Sequence, residues 1–96
     1  MKKYFVIGNP INHSLSPELH NFWIKKNNIN AIYEKIKLEE NELGDFINKL
    51  RNEEIHGINV TVPFKNKVIK YLDKLSLEVE TTDSVNTIYR EGNDII

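Results

Sequence analysis

Gly57-Ile58-Asn59-Val60-Thr61-Val62-Pro63-Phe64-Lys65 decides how this chain is read. Side chains alternate along a strand, so Asn59 and Thr61 share one face while Val60 and Val62 share the other. Ile58 to Val62 is therefore expected to be a short buried strand with polar groups on one side. Pro63 cannot continue a ladder and ends it. Lys65 then stands at the mouth of whatever follows. An amide, a hydroxyl and an amine converge at one strand end, which suits a polyhydroxylated small molecule on which a proton is moved.

Other elements alternate around this strand. Tyr4-Phe5-Val6-Ile7 reads as a buried strand that runs into the loop Gly8-Asn9-Pro10. Ser16-Pro17-Glu18 is a helix start, with Ser as N-cap, Pro at the first helical position and Glu at the positive dipole end. Leu15, Leu19, Phe22 and Trp23 follow at one helical face. Ala31 to Leu38 is expected to be a second strand nearer a sheet edge. Leu43, Phe46, Ile47 and Leu50 mark a second amphipathic helix. Val68, Ile69 and Leu72 predict a short third helix opening near Lys65, and Ser76 a fourth around Leu77 and Val79. Ser84 to Tyr89 reads as a further strand, Glu91-Gly92-Asn93-Asp94 as a turn, and Ile95-Ile96 as the start of another strand. Strands alternating with helices predict an α/β fold of three layers, a mostly parallel sheet flanked by helices. A strand that begins and stops within two residues marks the chain as a fragment, so 1–96 is read as one incomplete domain. The apolar pair Ile95-Ile96 at a free edge is expected to favour self-association, with a homodimer as the simplest product.

Composition narrows the function. The chain has 96 residues and a formal net charge of −1, with acidic and basic residues mixed, so it carries no nucleic-acid footprint. It has no cysteine and hence no disulfide or thiolate chemistry. The apolar run Tyr4 to Ile7 is too short for a signal core or a membrane span, which makes a cytoplasmic protein without membrane contact the expectation. His13 and His20 flank Glu18, but the spacing fits no standard metal site, and none is expected. The four glycines, Gly8, Gly44, Gly57 and Gly92, form neither G-x-G-x-x-G nor a P-loop, so the chain has no recognisable nucleotide cradle.

Three groups of residues carry candidate chemistry. Ser14 and Ser16 place two hydroxyls at a helix N-terminus, where free N–H groups and the dipole favour a carboxylate. Taken alone, Ser16 is as well read as a helix cap and Ser14 as a solvated loop residue. Lys65, at the opening of a helix, meets a like-signed partial charge that favours its neutral amine, as an acid or base near neutral pH requires; the plain alternative is a solvated surface lysine. Asn86, between apolar neighbours, needs partners from a ligand or from backbone.

Together the motifs settle more than each does alone. Gly8-Asn9-Pro10-Ile11-x-His13-Ser14-x-Ser16-Pro17, then Asn59-Val60-Thr61-Val62-Pro63-Phe64-Lys65, then Ser84-Val85-Asn86-Thr87 resemble the shikimate dehydrogenase family, in order and over nearly the whole chain. The resemblance implies the N-terminal, substrate-binding domain of a two-domain enzyme that reduces 3-dehydroshikimate to shikimate with NADPH, on the route to aromatic amino acids. It implies that Ser14 and Ser16 hold the substrate carboxylate, that Lys65 is the catalytic group at the reacting oxygen, and that Asn59, Thr61 and Asn86 hold ring hydroxyls. The family's lysine works with an aspartate in a Gly-x-Asn-Thr-Asp segment, expected beyond Ile96 together with the NADP-binding domain. The chain alone is then expected to be inactive. The pattern breaks at Asp83, where family members usually carry glycine. Two other readings stand beside this one: a free-standing module that binds shikimate or quinate without redox chemistry, and half of a quinate-accepting relative, against which Ser16 leans toward shikimate.

Overall fold

In a computed structural model, which describes residues 1–11 and 16–96 and only the backbone of Ser16, a four-stranded sheet carries helices on both faces. The strands are β1 (Lys2–Gly8), β2 (Ala31–Lys37), β3 (Gly57–Val60) and β4 (Thr87–Ile88), in the order β2-β1-β3-β4. β1 runs parallel to both neighbours, with Tyr4 opposite Tyr33 on one side and Gly57 on the other, whereas β4 is antiparallel to β3. This is the expected three-layer, mostly parallel α/β fold.

One sheet face holds most of the core. Helix α2 (Leu43–Arg51) buries Leu43, Phe46, Ile47 and Leu50, the i, i+3, i+4, i+7 stripe read from the sequence. These pack with Ile7, Ile58, Val60 and Ile88 from the strands and with Val68 and Ile95. Each such side chain, fully buried, contributes about 1.5–3 kcal/mol. The other face carries helix α1 (Ser16–Lys26), where Val6, Ile11 and Tyr33 form a smaller cluster with Tyr4 and Ile24 against it.

Helix α1 turns a different side to the sheet than its apolar spacing predicts. Leu19, Phe22 and Trp23 are 59%, 58% and 50% exposed. The inward residues are Asn21 and Ile24. Asn21 uses its amide like a strand: its Nδ2 donates to the Tyr33 carbonyl (2.7 Å) and its Oδ1 accepts from the Tyr33 N–H (2.9 Å). Those two bonds satisfy backbone groups that edge strand β2 would otherwise leave open, and they fix which helical face looks inward. Lys26 Nζ lies over the Phe22 and Trp23 rings, 5.9 and 5.1 Å from their centroids.

Three further expectations are corrected. The third helix is only a 3-10 turn, Ile69–Tyr71, because the Asp73 and Lys74 N–H groups both donate to the Ile95 carbonyl and draw the chain out straight. The Ser84–Tyr89 strand shrinks to Thr87–Ile88, since the Val85 N–H bonds the Lys65 carbonyl, outside any ladder. Ile95 does begin a strand, but it folds back as a hairpin of β5 (Arg90–Glu91) and β6 (Asp94–Ile95) about Gly92 at φ 62°. Ile95 is wholly buried and no free strand edge. Exposed apolar side chains lie elsewhere, on α1 at Leu19, Phe22 and Trp23 and singly at Val62 and Leu77. The Ser76 helix is present as α3 (Leu77–Thr82), with the Ser76 hydroxyl accepting from Val79 N–H.

Charges hold the hairpin down. Asp73 Oδ2 accepts from Ile95 N–H and from Arg51 Nη2, both at 2.8 Å, while Arg51 Nη1 donates to the Asn93 carbonyl. Lys74 pairs with Asp94, and Arg90 with Glu53. The Ile95 N–H, and after it the Arg51 hydrogen bond, hold the Asp73 carboxyl below its ordinary 3.8. A carboxyl depressed in the folded state adds stability that is complete above the unfolded value and lost as pH falls through the folded one. Urea midpoints measured from about pH 5 down to about pH 3 should therefore fall less steeply for Asp73→Asn than for the native chain, the difference opening only below the ordinary aspartate range. Parallel curves would show that Asp73 adds nothing to the acid limb.

Candidate functional site

The C-terminal ends of β1, β2 and β3 are drawn to one place. The Leu38 N–H donates to the Gly8 carbonyl (3.3 Å), the Thr61 N–H to the Ile7 carbonyl (3.0 Å) and the Asn9 N–H to the Val62 carbonyl (3.1 Å). The Asn9 amide Nδ2 adds a bond to the Leu38 carbonyl. A side chain at Gly8 would put its Cβ 2.5 Å from Thr61 Cγ2 and 3.0 Å from the Val62 carbonyl oxygen, so only glycine lets the two strand ends close. In open α/β sheets, ligands bind outside this edge of the strands.

β3 stops at Val60, two residues before the expected end, and the chain beyond it turns while still bonded to the end of β1 through Thr61 N–H and the Val62 carbonyl. Thr61 to Val68 is a string of turns in which the Phe64 ring is buried and Thr61 and Lys65 are half-buried. No helix begins at Lys65, so no helix dipole acts there. Lys65 instead shares a cleft of about 300 Å³ with Val62, Pro63, Asn66, Asp83 and Ser84. The segment bearing Asn86 is fastened alongside by the bond from Val85 N–H to the Lys65 carbonyl (2.7 Å) and the bond from Val60 N–H to the Asn86 carbonyl (2.8 Å). Lys65 and Asn86 thus belong to chain segments that are directly bonded to each other. The Asn86 side chain is exposed.

Asn59 has partners within the protein. Its amide Nδ2 faces Thr87 Oγ1 (3.1 Å) and the Asn86 carbonyl (3.5 Å), and its Oδ1 accepts from the Tyr33 hydroxyl (2.6 Å). Sequence reasoning missed Tyr33. The available signal was a tyrosine on a strand, whose hydroxyl needs a partner once buried. His20 stacks on the Tyr33 ring at 4.2 Å, and His56 Nδ1 accepts from Lys3 N–H. His13, Ser14 and the Ser16 hydroxyl lie outside the described residues. Among the described residues no group of three or more His, Cys, Asp or Glu gathers as for a metal, and no helix is long and apolar enough to cross a membrane.

A parallel α/β layer with polar residues gathered at the strand ends defines a small-molecule-binding domain. Comparison with known proteins gives the family. Residues 6–88 match the model of the shikimate dehydrogenase substrate binding domain, and the chain belongs to that family. It is 61% identical over its whole length to the NADP(+) shikimate dehydrogenase of Pelagibacter ubique (strain HTCC1062) and 43% identical to that of Bacillus subtilis (strain 168). It spans only 37% and 35% of their lengths. Among solved structures, a shikimate dehydrogenase in complex with NADP+ superposes with a TM-score of 0.93 at 33% identity, covering 100% of this chain and 33% of its own. The Listeria monocytogenes enzyme in complex with shikimate and NAD gives 0.91 at 34%, covering 99% of this chain and 33% of its own.

The departure at Asp83 has a physical reading. Asp83 ends α3 in the left-handed region, φ 57° and ψ 33°, where glycine is free of strain and aspartate is among the better tolerated alternatives. Asp83→Val should cost about 1–2 kcal/mol, whereas Asp83→Gly should not destabilise. Urea unfolding of the two variants checks this. Equal losses would mean that the left-handed turn does not set the residue's tolerance.

Proposed function

We propose that this chain is the shikimate-binding part of an NADP-dependent shikimate dehydrogenase, the enzyme that converts 3-dehydroshikimate to shikimate in aromatic amino-acid biosynthesis. The observation that carries the reading is the fastening of the Lys65 and Asn86 segments to each other at the C-terminal edge of the sheet, in a chain of this family. Among the described residues that line that cleft Lys65 carries the one ammonium, and in this reading it gives a proton to, or takes it from, the substrate oxygen at the reacting carbon. Asn86 and Thr61 bind ring hydroxyls, which an exposed amide and a half-buried hydroxyl can do. Ser14 and Ser16 bind the carboxylate. The domain is proposed to work in the cytoplasm, on a small-molecule substrate.

The glycines among the described residues form no cradle for NADP. Gly8 is closed over by Thr61, Gly57 lies 2.8 Å from the Tyr4 ring at the Cβ position, Gly44 lies 3.0 Å from Tyr71, and Gly92 serves the hairpin turn. The first three are closed over, and Gly92, which is open, stands alone in a hairpin turn with no second glycine near it in sequence to form a pyrophosphate loop. The nucleotide is therefore assigned to the part of the relatives' length that this chain does not span. Substrate binding and proton movement are the chemistry left to these 96 residues.

The purified 96-residue chain should show no NADPH oxidation with 3-dehydroshikimate, since hydride transfer needs nicotinamide held against the substrate carbon. In the full-length protein, Lys65→Ala should lower kcat by about 10²–10⁴-fold, the usual cost of removing a general acid–base group. Ser14→Ala or Ser16→Ala should act at least as clearly on KM, because a carboxylate is held in ground and transition states alike. An unchanged kcat in Lys65→Ala would overturn the role given to that residue. A full-length protein that binds shikimate but never oxidises it would favour a binding module.

A further inference from the structure

The hydrogen bonds on the α1 side of the sheet run across the strands. Tyr33 lies on β2 and is only 4% exposed, and His20 stacks on its ring, nearly parallel at 7°. Its hydroxyl reaches past β1 to Asn59 on β3, and Asn59 reaches on to β4. The direction of this tie follows from chemistry. The Asn86 carbonyl can only accept, so it must face the amide NH₂ of Asn59. The amide oxygen is then turned to Tyr33, and the tyrosine hydroxyl must donate. Both Nδ2 hydrogens of Asn59 are thereby engaged within the protein, one with Thr87 Oγ1 and one with the Asn86 carbonyl.

The strand at the far end of this tie is weakly held. β4 is two residues long, and its ladder pairs only Ile58 with Ile88 and Asn59 with Thr87. Beyond it, the Asn86 carbonyl is located by the Val60 N–H and by the Asn59 amide. We propose that Tyr33 is a positioning residue of the substrate site, orienting the Asn59 amide so that Asn59 sets the backbone of Asn86 and hence the place of its side chain. This rests on the shikimate-binding reading for the role of Asn86, but the tie itself does not. In this arrangement Asn59 works as a strut between strands, and the ring hydroxyls fall to Asn86 and Thr61.

The test is Tyr33→Phe in the full-length protein, which removes one hydroxyl and keeps the ring on His20. In protein labelled with ¹⁵N at asparagine, the Asn59 side-chain NH₂ signals should lose protection from exchange. KM for shikimate should rise about threefold to tenfold, the worth of one buried hydrogen bond, with kcat changed less. In an Asn86→Ala background the same substitution should no longer move KM, because its effect passes through Asn86; an effect on the fold alone would persist there. An Asn59 amide as protected in Tyr33→Phe as in the native protein would overturn the tie. A KM rise that survives undiminished in Asn86→Ala would overturn the positioning role. If the native protein bound no shikimate, the functional reading would fail, and the exchange measurement would still judge the tie.

Discussion

The close approach of Gly8 to Thr61 and Val62 governs the rest of this molecule. With hydrogen in place of a side chain, the end of β1 lies against the chain leaving β3, and three strand ends can exchange hydrogen bonds at one edge. The geometry that follows is a consequence of that contact. The regular ladder of β3 ends at Val60, the polypeptide turns, and Lys65 arrives beside the segment that carries Val85 and Asn86. A methyl group at position 8 would lie 2.5 Å from Thr61 Cγ2, so the Thr61 side chain would have to move, with the Val62 carbonyl oxygen close behind at 3.0 Å, in a packed strand end.

What is legible in the sequence follows from period and from local chemistry. The α2 stripe is readable because Leu43, Phe46, Ile47 and Leu50 keep helical spacing and all go inward. β1 and β3 are readable because β-branched and aromatic residues sit between a turn and a proline. Helix α1 is readable too, but its inward face is not, since Asn21 binds the edge strand with hydrogen bonds that hydrophobic spacing cannot register. The lost third helix has the same origin. Val68, Ile69 and Leu72 have helical spacing, yet the Ile95 carbonyl, far along the chain, takes the N–H groups of Asp73 and Lys74. Long-range hydrogen bonds override local preference in both places.

The candidate site is legible to a similar depth. Lys65 and Asn86 stand out in the motifs, and the structure brings their segments into direct contact. Lys65 lies on a turn, however, so the helix start by which the sequence singles it out is not there. Asn59 stands out for its polarity on a buried strand, and its amide has partners within the protein in Tyr33, Thr87 and, at 3.5 Å, the Asn86 carbonyl. A sequence reveals that a buried amide needs partners. It does not reveal whether they are ligand or protein, because the deciding residue, Tyr33, sits two strands away.

The antiparallel β4 explains why such a strut is needed. The parallel strands are fixed by long ladders, seven paired positions between β1 and β2 and four between β1 and β3. β4 has two, and it leaves the sheet at Tyr89 to pair with Ile96. A segment gains little fixity from so short a ladder, since each backbone hydrogen bond adds only about 0.5–1.5 kcal/mol. The side-chain chain from Tyr33 through Asn59, and the Val85 bond to Lys65, fasten the same segment from its two sides. Precision at the strand ends thus comes from the parallel sheet on one flank and from polar side chains on the other, where the sheet itself is thin.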